Sequence, residues 1–289
     1  MSKSIKQLRI DLIILHDKIQ ELATNLGNLY QDYFRDFSNI IKRQLILATY
    51  QICTQKYPDN FLELSLSERY NLQNKVKNLD KFFQETFIDN LSSIELEEHF
   101  IIKDLYHQIF VSFSNNLNEE NPEKINLENI TNNQEELDLE KCLDPQELIK
   151  IQVEIEDYLE ESLNQVSHKA NKYLQEAKIL PSKIPSKILE MALESEENTS
   201  IVSGAPNLLS LLIEREDKSD HNIDITPIVA ICLRITEVEF QEPSLSLIRQ
   251  KINNLLRELS IINDEYQKKR KKYSIALAES AWRSSWTEE

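Results

Sequence analysis

Glycine is nearly absent from this sequence: the chain of 289 residues contains 2. Glycine adopts positive φ angles at little cost and lets a backbone approach a ligand closely, so tight hairpin turns and phosphate-binding loops depend on it. Two glycines cannot supply the turns of a sheet-rich fold or the loop of a nucleotide-binding site. The sequence therefore excludes both classes and favours helix.

Cysteine is also scarce, and the number is odd. The three cysteines, Cys53, Cys142 and Cys232, are far apart, and no two have CxxC spacing. This pattern predicts neither a disulfide scaffold nor a structural zinc site. Because Cys53 and Cys232 have apolar neighbours, we expect both to be small core residues in a reducing compartment.

Positive charge is in deficit, with 33 Lys and Arg against 49 Asp and Glu, a formal net charge of −16. This balance argues against a nucleic-acid-binding protein. Long apolar runs are missing as well. The run at 10–15 is short and contains Asp11, so it fits neither a signal peptide nor a membrane span. We expect a cytoplasmic location.

Recognisable catalytic motifs are lacking too, including HExxH, GxSxG and the P-loop. No two of the histidines have the spacing of three or four that a metal pair on a helix requires. Neighbouring glutamates, such as Glu160 and Glu161, point in different directions on a helix and do not form a catalytic pair. The sequence thus predicts no catalytic, metal-binding or cofactor-binding residues. The histidines are His16, His99, His107, His168 and His221.

Two heptad patterns are present, one near each end of the chain. Apolar residues recur at alternating spacings of three and four, which is typical of long helices that pair along a seam. We predict an all-α helical bundle with long N- and C-terminal coiled-coil helices, paired either within one chain or between two. The seams are Ile5, Leu8, Leu12, Leu15, Ile19, Leu22, Leu26, Leu29 and Tyr33, and Leu245, Ile248, Ile252, Leu255, Leu259, Ile262, Tyr266 and Tyr273.

Composition divides the chain into four regions. An N-terminal helical region, 1–117, is followed by an acidic Asn/Glu-rich linker or insertion at 118–143. A central helical region covers 144–243, and the C-terminal coiled coil covers 244–289. Two helix starts are marked by capping residues, Ser65 with Glu68 and Asp144 with Pro145.

One stretch, 207–240, is ambiguous between helix and strand. Residues 207–213 fit either structure. Residues 226–240 are rich in β-branched side chains, but Ile228, Ile231, Ile235 and Val238 also share a helical face. We favour a helix for 226–240, because a lone strand needs a partner, and keep one short strand pair near 207–240 as the alternative.

The sharpest local feature is a run of five cations at 268–272, followed by both tryptophans. A solvated helix surface explains the run most simply, and the tryptophans could pack on the protein's own core. The alternative is a partner-binding surface, because Trp is enriched at binding hot spots and cationic runs attract anionic partners. The candidate partner-binding residues are Lys268, Lys269, Arg270, Lys271, Lys272, Trp282 and Trp286.

Four stretches carry a family resemblance: 50–72, 206–214, 226–240 and the ending AESAWRSSW at 278–286. Together they resemble a group of uncharacterised cyanobacterial proteins. The resemblance implies a bacterial cytoplasm or the stroma-facing side of a photosynthetic cell. It implies no activity and no functional residues.

These observations favour a non-catalytic, coiled-coil scaffold or adaptor that binds a protein partner or self-associates. One alternative is peripheral contact with an anionic membrane or nucleic acid through 268–272, with nucleic acid disfavoured by the overall charge. The other is an enzyme with an unrecognised site.

Overall fold

The computed structural model describes residues 5–92, 144–181, 205–216 and 223–286. The fold is all-α with one short antiparallel strand pair, which confirms the predicted class. The helix predicted at 100–113, the linker at 118–143 and Cys142 lie outside the described residues. The elements are α1 (Ile5–Gln51), a π-helical turn (Ile52–Lys56), α2 (Pro58–Glu63), α3 (Leu66–Lys77), α4 (Leu79–Ser92), α5 (Pro145–Glu176), β1 (Leu208–Glu216), β2 (Ile223–Ile231), α6 (Ile235–Gln241) and α7 (Pro243–Ser285).

The described residues form two compact units, each assembled from distant parts of the chain. The first contains 5–34, 144–155 and 247–286, and the second contains 35–92, 156–181, 205–216 and 223–246. Helices α1, α5 and α7 each contribute residues to both. The division of the chain at 117, 143 and 243 stays a prediction.

In the first unit the two heptad seams lie against each other in antiparallel directions. The Arg249 guanidinium donates to the Tyr33 hydroxyl at 3.0 Å, and further along the pair the Lys269 ammonium lies 3.6 Å from the Asp11 carboxylate. As the residue number rises on α7 it falls on α1, so the helices run antiparallel. The seam residues that are buried here are Leu8, Leu12, Leu15, Ile19, Leu22, Leu26, Tyr33, Ile252, Leu259, Ile262 and Tyr266.

The second unit has an aromatic core between α1 and α4. Phe37, Phe83 and Phe87 are fully buried, with centroid distances of 6.0 Å from Phe37 to Phe83 and 6.2 Å from Phe83 to Phe87. Near this core the Lys42 ammonium and Asp80 carboxylate form an ion pair at 2.8 Å. Burial of large aromatic surfaces is the main stabilising contribution here.

Both predicted helix caps are present. The Ser65 hydroxyl accepts from the Glu68 amide at 3.3 Å, and the Glu68 carboxylate accepts from the Ser65 amide at 2.8 Å. These bonds lower the pKa of the Glu68 carboxyl. At the start of α5 the Asp144 carboxylate accepts from the Gln146 amide at 2.9 Å. The capping residues fix the first turns of α3 and α5.

The favoured helix at 226–240 is wrong for its first part. Residues 223–231 form strand β2, which pairs antiparallel with β1 so that Leu208 lies opposite Ile231 and Leu212 opposite Pro227. The helix begins only at Ile235. The strand pair named as the alternative is therefore the observed structure, because residues 208–216 supply the partner.

Side chains from other elements bond to the edge of β2. The Asn171 side chain on α5 both accepts from the Ile231 amide and donates to its carbonyl, each at 2.8 Å. The Tyr57 hydroxyl accepts from the Val229 amide, and two residues after the end of β2 the Ser167 hydroxyl accepts from the Leu233 amide. A two-stranded sheet is only marginally stable alone, and these bonds satisfy backbone groups that a third strand would otherwise pair with.

Candidate interaction surface on the last helix

Helix α7 has two faces of different character as far as Tyr273, and beyond it every residue from 274 to 286 except Ala276 is exposed, whichever side of the helix it lies on. One face carries Ile262, Tyr266 and Lys269 and turns towards α1, as the Lys269–Asp11 contact shows. The opposite face is exposed. We call the exposed residues Lys268, Lys271, Lys272, Ile275, Trp282 and Trp286 the C-terminal face.

Both tryptophans of the chain lie on the C-terminal face in contact with each other. Their ring centroids are 5.5 Å apart, with planes tilted by 33°. Trp282 is 64 % exposed and Trp286 is 72 % exposed. With these exposures the two indoles do not pack on a core formed by the described residues. Since a Trp side chain has a surface of roughly 200 Å², the pair presents on the order of 300 Å² to solvent, which is the size of a functional apolar patch.

Helical geometry extends this patch towards the cations. At 3.6 residues per turn, Ile275, Trp282 and Trp286 lie within about 40° of one another around α7. Lys268, Lys271 and Lys272 fall on the same side, so that the whole set covers an arc of about 100°. Ile275 is itself half exposed. The C-terminal face thus places a cationic cluster directly before an apolar, aromatic cluster.

The five cations at 268–272 separate into two groups by the ion pairs that they make. Lys269 forms ion pairs with Glu265 at 2.7 Å and with Asp11 at 3.6 Å. The hydrogen bond between Lys269 and Glu265 raises the pKa of the Lys269 ammonium and lowers the pKa of the Glu265 carboxyl. Arg270 pairs with Asp144 at 2.9 Å, the residue that caps α5.

The other three cations face solvent. Lys268, Lys271 and Lys272 are exposed, and none of them makes an ion pair within the part of the chain that the structure describes. Lys269 and Arg270, by contrast, tie α7 to Asp11 and Asp144 within the first unit.

Acidic residues also occur near the C-terminal face. Glu279 lies one turn before Trp282 and pairs with Arg283 at 3.9 Å. Asp264 lies one turn before Lys268 on the same side. Counted together with Arg283 and the three lysines, Asp264 and Glu279 leave this side of α7 with a net positive charge.

Other candidate chemistry is not brought together within the described residues. Cys53 and Cys232 are buried, as predicted, and burial raises the pKa of their thiols to about 12 and about 11. Within 5–92, 144–181, 205–216 and 223–286, no group of three or more His, Cys, Asp or Glu residues could hold a metal ion. His99, His107 and His221 lie outside these ranges. In the same ranges no helix has the length and apolarity needed to span a membrane.

Sequence reasoning missed two features of this surface. It did not include Ile275, although its spacing of seven from Trp282 places both on one side of a helix. It also treated the five cations as equivalent. Their separation depends on Asp11 and Asp144, which are distant in sequence, so no local signal could reveal it.

Comparisons with known proteins give no relative for this chain: no family model, no curated protein and no solved structure matches it.

Proposed function

We propose that this protein is a non-catalytic helical adaptor whose C-terminal face binds a partner protein. The observation that carries the proposal is the exposed Trp282–Trp286 pair beside three cations without an ion pair in the described structure. Exposed paired indoles are costly in water and are favoured anchors in interfaces, where removing one typically costs about 2 kcal/mol or more of binding free energy.

The charge pattern defines the partner's chemistry. Lys268, Lys271 and Lys272 favour acidic side chains, and the indoles with Ile275 favour an apolar strip. An acidic amphipathic helix combines both on one face, and it would lie along α7 as a neighbouring helix. Electrostatic attraction would raise the association rate, and burial of the indoles would set the dissociation rate.

An anionic membrane would also attract lysines and tryptophans. The acidic groups favour a protein instead: Glu279 lies between the lysines and the indoles, and Glu288 and Glu289 follow Trp286 in the sequence. Carboxylates at these positions would be repelled by a lipid surface of like charge.

The test is an affinity pull-down from extracts of the source cells, with the full-length protein and its variants as bait. Trp282→Ala with Trp286→Ala should lose a protein that the wild type retains. A triple Lys→Gln variant at 268, 271 and 272 should retain less of it than the wild type at low salt, and this difference should shrink as salt rises. The matched control replaces two exposed aromatic residues elsewhere, Tyr70→Ala with Phe240→Ala. This control variant should retain the partner protein.

The retained protein is then purified and its affinity measured directly. A one-to-one complex that weakens with salt and is lost in the tryptophan variant supports the proposal. Identical capture by all variants contradicts it. Binding of the wild type to phosphatidylserine vesicles at physiological salt, with no protein retained, would replace the protein partner with a membrane.

A further inference from the structure

Helix α5 carries a second polar surface, which shares no residue with the C-terminal face. Between residues 157 and 172, a set of polar side chains lies within an arc of about 100° around the helix axis. All of them belong to the second unit. Along the helix their order is acidic, then amide, then basic. We call them the α5 face: Asp157, Glu161, Asn164, Gln165, His168 and Lys172.

The α5 face is open to solvent. Asp157, Glu161 and Lys172, towards its two ends, are exposed, whereas the residues between Glu161 and Lys172 are half-buried. A cleft of about 1000 Å³ lies over this part of α5, with Phe82 of α4 in its lining. A molecule from solution can therefore reach the charged ends of the face directly, while the middle of the face lies in the cleft.

The outermost charges of the α5 face differ from the charges beside them. Neither Asp157 nor Lys172 makes an ion pair within the part of the chain that the structure describes. By contrast, the Lys169 ammonium lies 3.2 Å from the ring centroid of Phe82, and the Glu176 carboxylate pairs with Lys75 at 2.9 Å. The α5 face thus ends in one exposed anion and one exposed cation.

The order of charges on the α5 face is complementary to its own reverse. We consider a second α5 helix lying antiparallel to the first, with a twofold axis between Asn164 and Gln165. Asp157 then lies opposite Lys172 of the second copy, and Glu161 lies opposite His168 of the second copy. Because the axis is twofold, each pair occurs twice. Every acidic residue of the face therefore meets a basic one.

Other arrangements of two α5 helices lose this match. In a parallel pair each residue meets its own copy, so Asp157 faces Asp157 and Lys172 faces Lys172. Displacing the antiparallel pair by one turn places Asp157 opposite Glu176 in one direction, and leaves Lys172 opposite Val153 in the other. Like charges that face each other across an interface oppose association. The charge pattern therefore selects one register and one direction.

We propose that two copies of this protein associate through their α5 faces, antiparallel about a twofold axis between Asn164 and Gln165. Ion pairs between Asp157 and Lys172 close the two ends of the interface, and water in the facing clefts bridges the half-buried amides between them. A small, polar interface of this kind is typical of weak association.

Such a dimer carries two C-terminal faces and can hold a partner at both, which raises its overall affinity for clustered partners. The interface uses no residue of the C-terminal face. The dimer and the adaptor function therefore stand or fall separately.

Sedimentation equilibrium of the full-length protein measures the association from micromolar to millimolar concentration. The wild-type dimer should weaken about tenfold from low to high salt, as expected for two exposed ion pairs worth about threefold each. Asp157→Lys brings lysines together at both ends of the interface, and Lys172→Asp brings aspartates together. Because each contact loses an attraction and gains a repulsion of similar size, either variant alone should weaken the dimer about hundredfold.

Mixing these two variants is the sharpest test. In a mixed dimer the introduced lysine lies opposite the introduced aspartate, and the native Lys172 of one copy lies opposite the native Asp157 of the other. The mixture should form a heterodimer with about the wild-type affinity, although neither variant dimerises alone. Asp157→Lys with Lys172→Asp in one chain should likewise restore the homodimer, which shows that the single variants had not lost their fold.

The matched controls make the same charge changes at exposed positions elsewhere in the second unit, Glu63→Lys and Lys77→Asp. Each control should dimerise like the wild type, and mixing them should change nothing. Trp282→Ala with Trp286→Ala should also keep the dimer, because the indoles lie outside the α5 face.

A wild type that stays monomeric at millimolar concentration overturns the proposal. A dimer whose affinity is the same in Asp157→Lys and Lys172→Asp as in the wild type overturns it too, as does a mixture of these variants that stays monomeric. Loss of the dimer in the tryptophan variant would also overturn it, by assigning the self-association to the C-terminal face.

Discussion

The bonds between Asn171 and Ile231 make a quantitative prediction about stability. Asn171 is fully buried, and its side chain satisfies both the amide and the carbonyl of Ile231. In Asn171→Leu an apolar side chain of similar size fills the space but bonds to neither group. A buried backbone group left without a partner costs about 1–3 kcal/mol, so the two together should lower the free energy of unfolding by about 2–6 kcal/mol.

Urea unfolding followed by far-ultraviolet circular dichroism measures the loss, and hydrogen exchange of the Ile231 amide locates it. The control is Asn164→Leu, a half-exposed residue on the same helix. A surface substitution of this kind should change stability by about 0.5 kcal/mol or less. If Asn171→Leu matches this control and the Ile231 amide exchanges at the wild-type rate, the role given to Asn171 is refuted.

Three further predictions concern the core, a cap and a charge pair. Phe83→Ala, in the aromatic core, should lower the free energy of unfolding by about 3–5 kcal/mol in urea titrations. Ser65→Ala removes a capping hydroxyl and should cost about 1 kcal/mol in the same assay. Because its folded-state pKa is lowered, the Glu265 carboxyl stabilises the fold above its unfolded-state pKa and loses this effect as pH falls through the folded value. The urea midpoints of wild type and Glu265→Gln should therefore differ at neutral pH and converge in acid. A difference that persists in acid would contradict this assignment.

The helices could be predicted because their signals are local. Residues of the two seams recur at spacings that place them on one helical face, and these faces are buried in the structure. The caps at Ser65 and Asp144 are likewise predicted from a few adjacent residues. Here the local preference and the tertiary packing agree.

The strand pair could not be decided locally. Residues 226–231 suit a helix or a strand, and the choice depends on β1 and on Asn171, which is 60 residues away from Ile231. The scarcity of glycine has a related consequence: Lys178 and Asn207 adopt left-handed backbone conformations, with φ of 59° and 62°, at turns where glycine is usual. Composition excluded a sheet-rich fold but did not exclude one hairpin.

The candidate site was predictable in part. The spacing of four between Trp282 and Trp286 correctly placed the indoles side by side. Their exposure was not predictable, because it depends on how far the packed part of α7 extends, and from residue 277 to residue 286 all sides of the helix are exposed. Arg270 and Lys269 find partners only when α5 and α1 are folded beside them.

The central claim is that a partner protein covers the C-terminal face, and tryptophan fluorescence tests it most directly. The chain has only two tryptophans, and both lie on this face, so the indole signal reports this surface alone. In the free protein we predict emission typical of water-exposed indole and strong quenching by acrylamide. Titration with a purified partner that lacks tryptophan should shift the emission to shorter wavelength and protect it from acrylamide, with an affinity that falls as salt rises. Saturating complex formation with no change in emission or quenching would contradict the account.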